Sequence, residues 1–289
     1  MYLPPAPSLL LFLSDMADNK TIGLKNILVE QNTIESVFLE RDVIIDAYLP
    51  TNIEHPENMA LLLINDGQDL PKMPFDEILD DLIEAKIIEP LVCIGIYCGP
   101  DRKMEYGTAR EADYKSRGAR ADLYTRFIFE ELLPFIHDTY KVASFKEKSF
   151  AGFSLGALSA LDIVWNNAEQ FSKVGVFSGS LWWRSKDYDD GYDEDTDRIM
   201  HRQIREGEYK PWLSFFFECG VLDEKEDRNN NGIIDSIDDT IDLISELKAK
   251  GYPDSSIEYL ELQDGRHDVP TWGIAFPHFL KWGWGLGGE

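Results

Sequence analysis

Apolar positions along the chain switch repeatedly between two spacings. Met59–Ile64 (MALLLI) and Leu91–Tyr97 are unbroken apolar runs of strand length, which suits strands covered on both faces. Between them Phe75, Leu79, Leu82 and Ile83 recur at helical intervals and predict an amphipathic helix. Tyr124, Phe127, Ile128, Leu132 and Phe135 mark a second one. Ser149–Phe153 reads as a strand, Leu155–Ala168 as a helix and Lys173–Phe177 as a strand. Strand Leu213–Cys219, helix Thr240–Lys250, strand Ile257–Leu262 and a last helix from about Trp272 continue the alternation. Upstream, Thr33–Leu39 and Val43–Leu49 flank Glu40-Arg41-Asp42 and read as a hairpin. Alternating strand and helix predicts an α/β fold with a mostly parallel sheet and helices on both faces. No repeat, low-complexity tract or linker divides the chain. Residues 1–289 are therefore expected to form one domain, with 1–30 an N-terminal extension and 184–210 an irregular acidic insertion.

Composition narrows the classes of function. Among 289 residues, 28 Lys and Arg face 53 Asp and Glu, a formal net charge of −25. Such a field repels polyanions, so nucleic acid is not an expected partner. No apolar run approaches the ~18 residues of a membrane span, and Leu9–Leu13 is the longest candidate near the start. The first basic residue is Lys20, too late for the charged start of a secretory signal. The expected compartment is the cytoplasm by default, periplasmic or secreted if the start is truncated. Cys93, Cys98 and Cys219 match no zinc spacing and form no disulfide framework, so they read as small core residues.

Gly152-Phe153-Ser154-Leu155-Gly156 fits G-x-S-x-G, a pattern common enough by chance to mean little alone. Its place between a predicted strand and a predicted helix is what a nucleophile elbow requires. The helix start aims free N–H groups and a positive dipole end at Ser154. A serine hydroxyl needs a base, and His267, just past the last predicted strand, lies at the carboxyl edge of the sheet with Ser154. His55, His137, His201 and His278 fall away from that edge. The acid is expected after the penultimate strand, where Asp223 is preferred over Glu224, Glu226 and Asp227. Two backbone N–H donors should hold the oxyanion: Leu155, and Gln68 in the loop after MALLLI, where Gly67 lets the backbone come close.

These residues resemble the esterase D / enterochelin-esterase-like family of serine esterases, which has the α/β-hydrolase fold. The resemblance spans about residues 30–285. It rests on Asp66-Gly67-Gln68, Asp101-Arg102 with Glu105-Tyr106, Phe127–Ile136 (FIFEELLPFI), Ala151–Gly156 (AGFSLG), Ser178–Trp183 (SGSLWW), Gly220–Asp223 and Gly265–Trp272. It implies ester hydrolysis through an acyl-serine intermediate, with Ser154, Asp223 and His267 as the triad. Substrates in the family range from siderophore lactones and acylated polysaccharides to S-formylglutathione. Asn65 departs from the His that relatives often carry before Asp-Gly.

A second motif follows the acid. Asp227, Asn229, Asn231, Asp235 and Asp238 occupy positions 1, 3, 5, 9 and 12 of a calcium-loop template, with Gly232 at 6 and the Ile233 carbonyl at 7. Asp at position 12, in place of a bidentate Glu, points to weak binding or a dockerin-like geometry. Without a full helix before the loop, a structural ion holding the segment that presents Asp223 is expected rather than a paired sensor. The alternative is an Asn/Asp-rich turn that binds nothing. Residues 187–197 carry seven carboxylates and read as a solvated loop or as a lid. Trp182 and Trp183 read equally as a substrate wall or a core cap, and Arg102, Arg110 and Arg117 sit in a plausible substrate loop, 99–121. The combined expectation is a serine carboxylesterase that needs no cofactor for catalysis and acts on a small-molecule or acylated-carbohydrate ester. An acyltransferase on the same triad, or a catalytically inactive calcium-stabilised binding protein, would share the motifs. Oligomeric state is not encoded in these patterns.

Overall fold

A computed structural model describes residues 21–51 and 56–287. Leu9–Leu13 and His55 lie outside them. The sheet begins at Thr21: β1 (Thr21–Gly23), β2 (Ile27–Ser36) and β3 (Arg41–Pro50) form an antiparallel edge. The expected extension to residue 30 is therefore partly sheet. The expected hairpin is present, but its turn lies at Val37–Glu40, and Arg41 and Asp42, expected in the connection, pair with Ser36 and Glu35.

β4 (Ala60–Asn65), β5 (Leu91–Ile96), β6 (Glu147–Phe153), β7 (Lys173–Phe177), β8 (Ser214–Leu222) and β9 (Ile257–Arg266) run parallel to one another, and β3 joins β5 antiparallel. The order across the nine strands is β1-β2-β3-β5-β4-β6-β7-β8-β9. All six residues of β4 and of β5 are buried, as their unbroken apolar runs require. Side chains alternate between two layers: Leu61 and Leu63 enter one core, Leu62 and Ile64 the other.

Helices cover both faces. α1 (Phe75–Glu84) and the last helix, α9 (Val269–Trp284), pack on one, through Phe75, Leu79, Trp272, Phe276 and Phe279. On the other face lie α2 (Arg102–Glu105), α3 (Ala121–Arg126), a π-turn over Phe127–Leu132, α4 (Leu133–Tyr140) and α5 (Leu155–Asn166). α3 through α5 bring Tyr124, Phe127, Ile136, Leu158 and Leu161 into the second core. The segment 184–210 is not irregular. It holds α6 (Glu194–Asp197) and α7 (Ile199–Glu206), and α8 (Asp235–Lys250) follows. Its acids stabilise the local fold: Asp193 caps α6, and buried Asp197 accepts from Lys186, Ser185 and the Asp193 N–H. This is the α/β-hydrolase architecture, with an antiparallel start and a parallel remainder flanked by helices. Among the described residues no helix is long and apolar enough to cross a membrane.

Candidate active site

β6 ends at Phe153 and α5 starts at Leu155, so Ser154 has to reverse the chain in one residue. It does so at φ 55°, ψ −121°, a conformation that L-residues rarely hold and that persists only where the surroundings enforce it. The flanking glycines are required by space. A Cβ on Gly152 would stand 2.4 Å from the Gly156 carbonyl oxygen, and one on Gly156 would stand 2.5 Å from Asp66 Oδ2. The Ser154 N–H is tied to the Phe177 carbonyl (2.9 Å), which fixes the turn against β7.

The loop after β4 is held against this turn. Asn65 donates to the Gly156 carbonyl (2.7 Å) and accepts from the Tyr124 hydroxyl (2.5 Å), both fully inside the protein. Asn65 therefore locks the loop to α5 and α3. Asp66, left-handed at φ 59°, forms a bidentate pair with Arg102 at 2.7 Å on each oxygen. The same guanidinium reaches the Phe153 carbonyl (3.3 Å), beside Ser154. Leu155 opens α5, and Gln68 is second in the short turn Gly67–Lys72, so both carry N–H groups that their own turns leave without an acceptor. Gln68 is further fixed by its side chain, which accepts from the Cys98 N–H (3.1 Å) and donates to Asp66 (3.3 Å).

β8 and β9 bring Asp223 and His267 to the same edge. The Asp223 carboxylate is the strongest charge acting on His267, followed by Arg102 and Asp268. The ring keeps an exposed edge and packs edge-on against Trp272, with centroids 5.4 Å apart. Packing around the ring and the Arg102 cation lower its pKa from the ordinary 6.5, against the pull of Asp223. Burial raises the Asp223 pKa, opposed by Ser178, the Gly220 backbone and His267. Both Asp223 oxygens are buried without a hydrogen-bond partner of good geometry among the described residues. Asp223 and His267 act on one another electrostatically, with no hydrogen bond to either Asp223 oxygen among the described residues.

Other expected residues divide. Trp183 is fully buried among core residues, so it cannot be a substrate wall, whereas Trp182 keeps exposed surface beneath the Arg117 guanidinium, 4.9 Å from its ring centroid. Cys93 and Cys219 are core residues, but Cys98 is only partly buried and lies beside Asp66. His201 is buried with Nε2 on the Asp239 carbonyl (2.8 Å), far from catalytic duty. Arg102, expected in a substrate loop, is paired with Asp66, and the contacts of Ser178, Glu218 and Trp272 lie outside the expectations from sequence. The one local signal among them is Glu218, an acid inside the apolar run of β8.

In the 227–238 loop, Asp227 accepts from the Asn231 and Gly232 N–H groups, Asn229 from Asn231 and Asn231 from Ile233. Asp238 accepts from the amides of both Asn229 (3.0 Å) and Asn231 (2.7 Å). Positions 9 to 12 form the first turn of α8, which begins five residues earlier than expected. Asp235 is engaged by Arg228. Among the described residues no three His, Cys, Asp or Glu side chains stand together as a metal group. An ion in this loop would have to draw on the Asn229, Asn231 and Ile233 oxygens as well.

The chain is similar to the "Uncharacterized protein YjcH" of Bacillus subtilis (strain 168), 21% identical over 89% of this chain and 98% of that one. Among solved structures it is similar to a ferulic acid esterase (TM-score 0.67, 17% identical, covering 89% of this chain and 97% of that one). It is also similar to the enterobactin esterase FES of Shigella flexneri, determined with enterobactin (TM-score 0.67, 20% identical, 88% of this chain and 57% of that one). The family described as "Putative esterase" matches residues 36–282, so the chain belongs to that family and is a carboxylic-ester hydrolase.

Proposed function

We propose that this enzyme hydrolyses esters through an acyl-serine intermediate on Ser154, with His267 as base and Asp223 as acid. The observation that carries this reading is the strained backbone of Ser154 between β6 and α5, flanked by glycines whose places leave no room for a side chain. His267 removes the Oγ proton as oxygen attacks the ester carbonyl. The tetrahedral oxyanion then lies between the Leu155 and Gln68 N–H groups. His267 passes its proton to the departing alcohol oxygen, leaving Ser154 acylated. Water attacks by the reverse proton transfers and frees the acid. Asp223 holds the imidazole orientation and balances the imidazolium charge.

The substrate class proposed is a small-molecule or acylated-carbohydrate ester, with Trp182 under Arg117 as the surface that meets it. The resemblance to esterases described by ferulic acid and by enterobactin supports that class. The 227–238 loop is proposed to hold a structural calcium ion through Asp227, Asn229, Asn231, Ile233, Asp235 and Asp238. Ser236 N–H bonded to Glu224 (2.5 Å) and Asp235 N–H bonded to the Glu226 carbonyl (2.8 Å) would pass that order to the segment next to Asp223.

Ser154→Ala is expected to lower kcat by roughly 10⁶, the scale of a triad knockout, and to abolish labelling by a fluorophosphonate. The assay is an ester panel of short acyl, feruloyl and lactone substrates. Turnover or labelling undiminished in the variant would end the assignment.

A further inference from the structure

Behind the triad acid lies a group of side chains that the mechanism above does not use. Glu218, in β8 ahead of Asp223, is fully buried, and its Oε1 has no hydrogen-bond partner among the described residues. Its Oε2 meets the Ser178 hydroxyl at 3.4 Å, and its carbonyl accepts the Ser178 N–H at 2.8 Å. Ser178, immediately after β7, is held at φ 44°, a second strained residue at this edge. The Ser178 Oγ accepts from Trp272 Nε1 at 3.0 Å, and Trp272 is the ring against which His267 packs. Ser178 is also the neighbouring hydroxyl that acts on Asp223.

Counting donors decides how these groups connect. A serine hydroxyl has one proton to give and two lone pairs to receive. Trp272 fills one lone pair, so two carboxyl groups compete for one proton and one lone pair. If both acids were ionised, one would be left buried without a donor, and two like charges would face each other in a desolvated space. A neutral Glu218 resolves both conflicts: its O–H fills the second lone pair of Ser178, and the Ser178 proton is free for Asp223.

We propose that Glu218, as a neutral carboxylic acid acting through Ser178, is the positioning residue that holds Asp223 against His267. The proposal rests on the reading of Asp223 and His267 as acid and base. Burial and the Asp223 charge push the Glu218 pKa up to about 8, consistent with a proton retained at neutral pH. The titratable groups facing it are Asp223, Cys219 on its own strand and Tyr259 on β9. Burial raises Cys219 and Tyr259 above their ordinary values, so neither ionises before Glu218.

The test compares Glu218→Leu, Glu218→Gln and Ser178→Ala with the full-length enzyme. Glu218→Leu and Ser178→Ala are expected to lower kcat at least ten-fold at unchanged KM and to weaken the downfield proton signal of the His267–Asp223 pair in NMR spectra. Glu218→Gln, whose amide can donate but cannot ionise, restores most of both. Wild-type kcat falls a few-fold as pH rises through about 8, and Glu218→Gln removes that fall. Full kcat and an unchanged downfield signal in Glu218→Leu would overturn the proposal, as would a glutamine variant no better than leucine. The NMR signal needs no substrate, so it reports on Asp223 even if the Ser154→Ala enzyme remains active and the esterase reading itself fails. Circular dichroism of each variant separates loss of positioning from loss of fold.

Discussion

At the scale of single residues, the site is built from conformations and charge states that cost energy elsewhere. Ser154 and Ser178 sit at positive φ, and His267 keeps its proton less readily than a free imidazole. The sign of the last effect sets the pH dependence. A base whose pKa is lowered stays neutral to lower pH, so the acid limb of kcat/KM is expected below the ordinary imidazole value of 6.5. Asp223 is the group that raises the His267 pKa, so Asp223→Asn should move this limb further down while lowering kcat by about 10⁴, as loss of a triad acid does. A pH–rate profile of both proteins checks it. A limb that moves upward in Asp223→Asn would assign the acid to another residue.

At the scale of elements, strands were legible wherever burial on both faces wrote an unbroken apolar run, as in β4 and β5. Boundaries were less legible: the charged Glu40-Arg41-Asp42 was expected as the hairpin connection, but Arg41 and Asp42 lie in β3, and β9 runs on through Gly265. The 184–210 segment was not, because its helices are short, and their acids act as caps and struts whose partners lie far along the chain, such as Glu194 with Arg228. The same limit hid the contacts of Asn65, Arg102 and Ser178, which only folding creates. The places of Ser154 between β6 and α5, of Asp223 after β8 and of His267 after β9 were readable from the strand and helix alternation, whereas Glu218 left only an acid in an apolar strand. The 227–238 loop belongs to this scale too. Calcium is expected to raise the melting temperature over that in chelator, by roughly RT ln(1 + [L]/Kd) in stability, and Asp227→Ala should abolish the difference. Equal midpoints for the wild-type protein with and without calcium would leave the loop as a hydrogen-bonded turn.

At the scale of the whole molecule, the net charge of −25 surrounds a site whose immediate cations, Arg102 and Arg117, are paired with Asp66 and Asp113. The field at long range is therefore repulsive to anions. For an anionic ester, kcat/KM is expected to rise a few-fold between low salt and about 0.15 M, where the screening length falls to ~8 Å. A neutral ester of the same acyl group should show no such rise. Stopped initial rates across a salt series distinguish them, and equal slopes would mean that the global field does not reach the reacting ester.

The contact between Gly156 and Asp66 carries a consequence for how this protein can change. Two stretches of chain ninety residues apart meet with no room for even a methyl group on Gly156. A stretch imported from a cousin with any side chain at 156 would collide with Asp66, and would need a matching change in 65–68 to leave a working cradle.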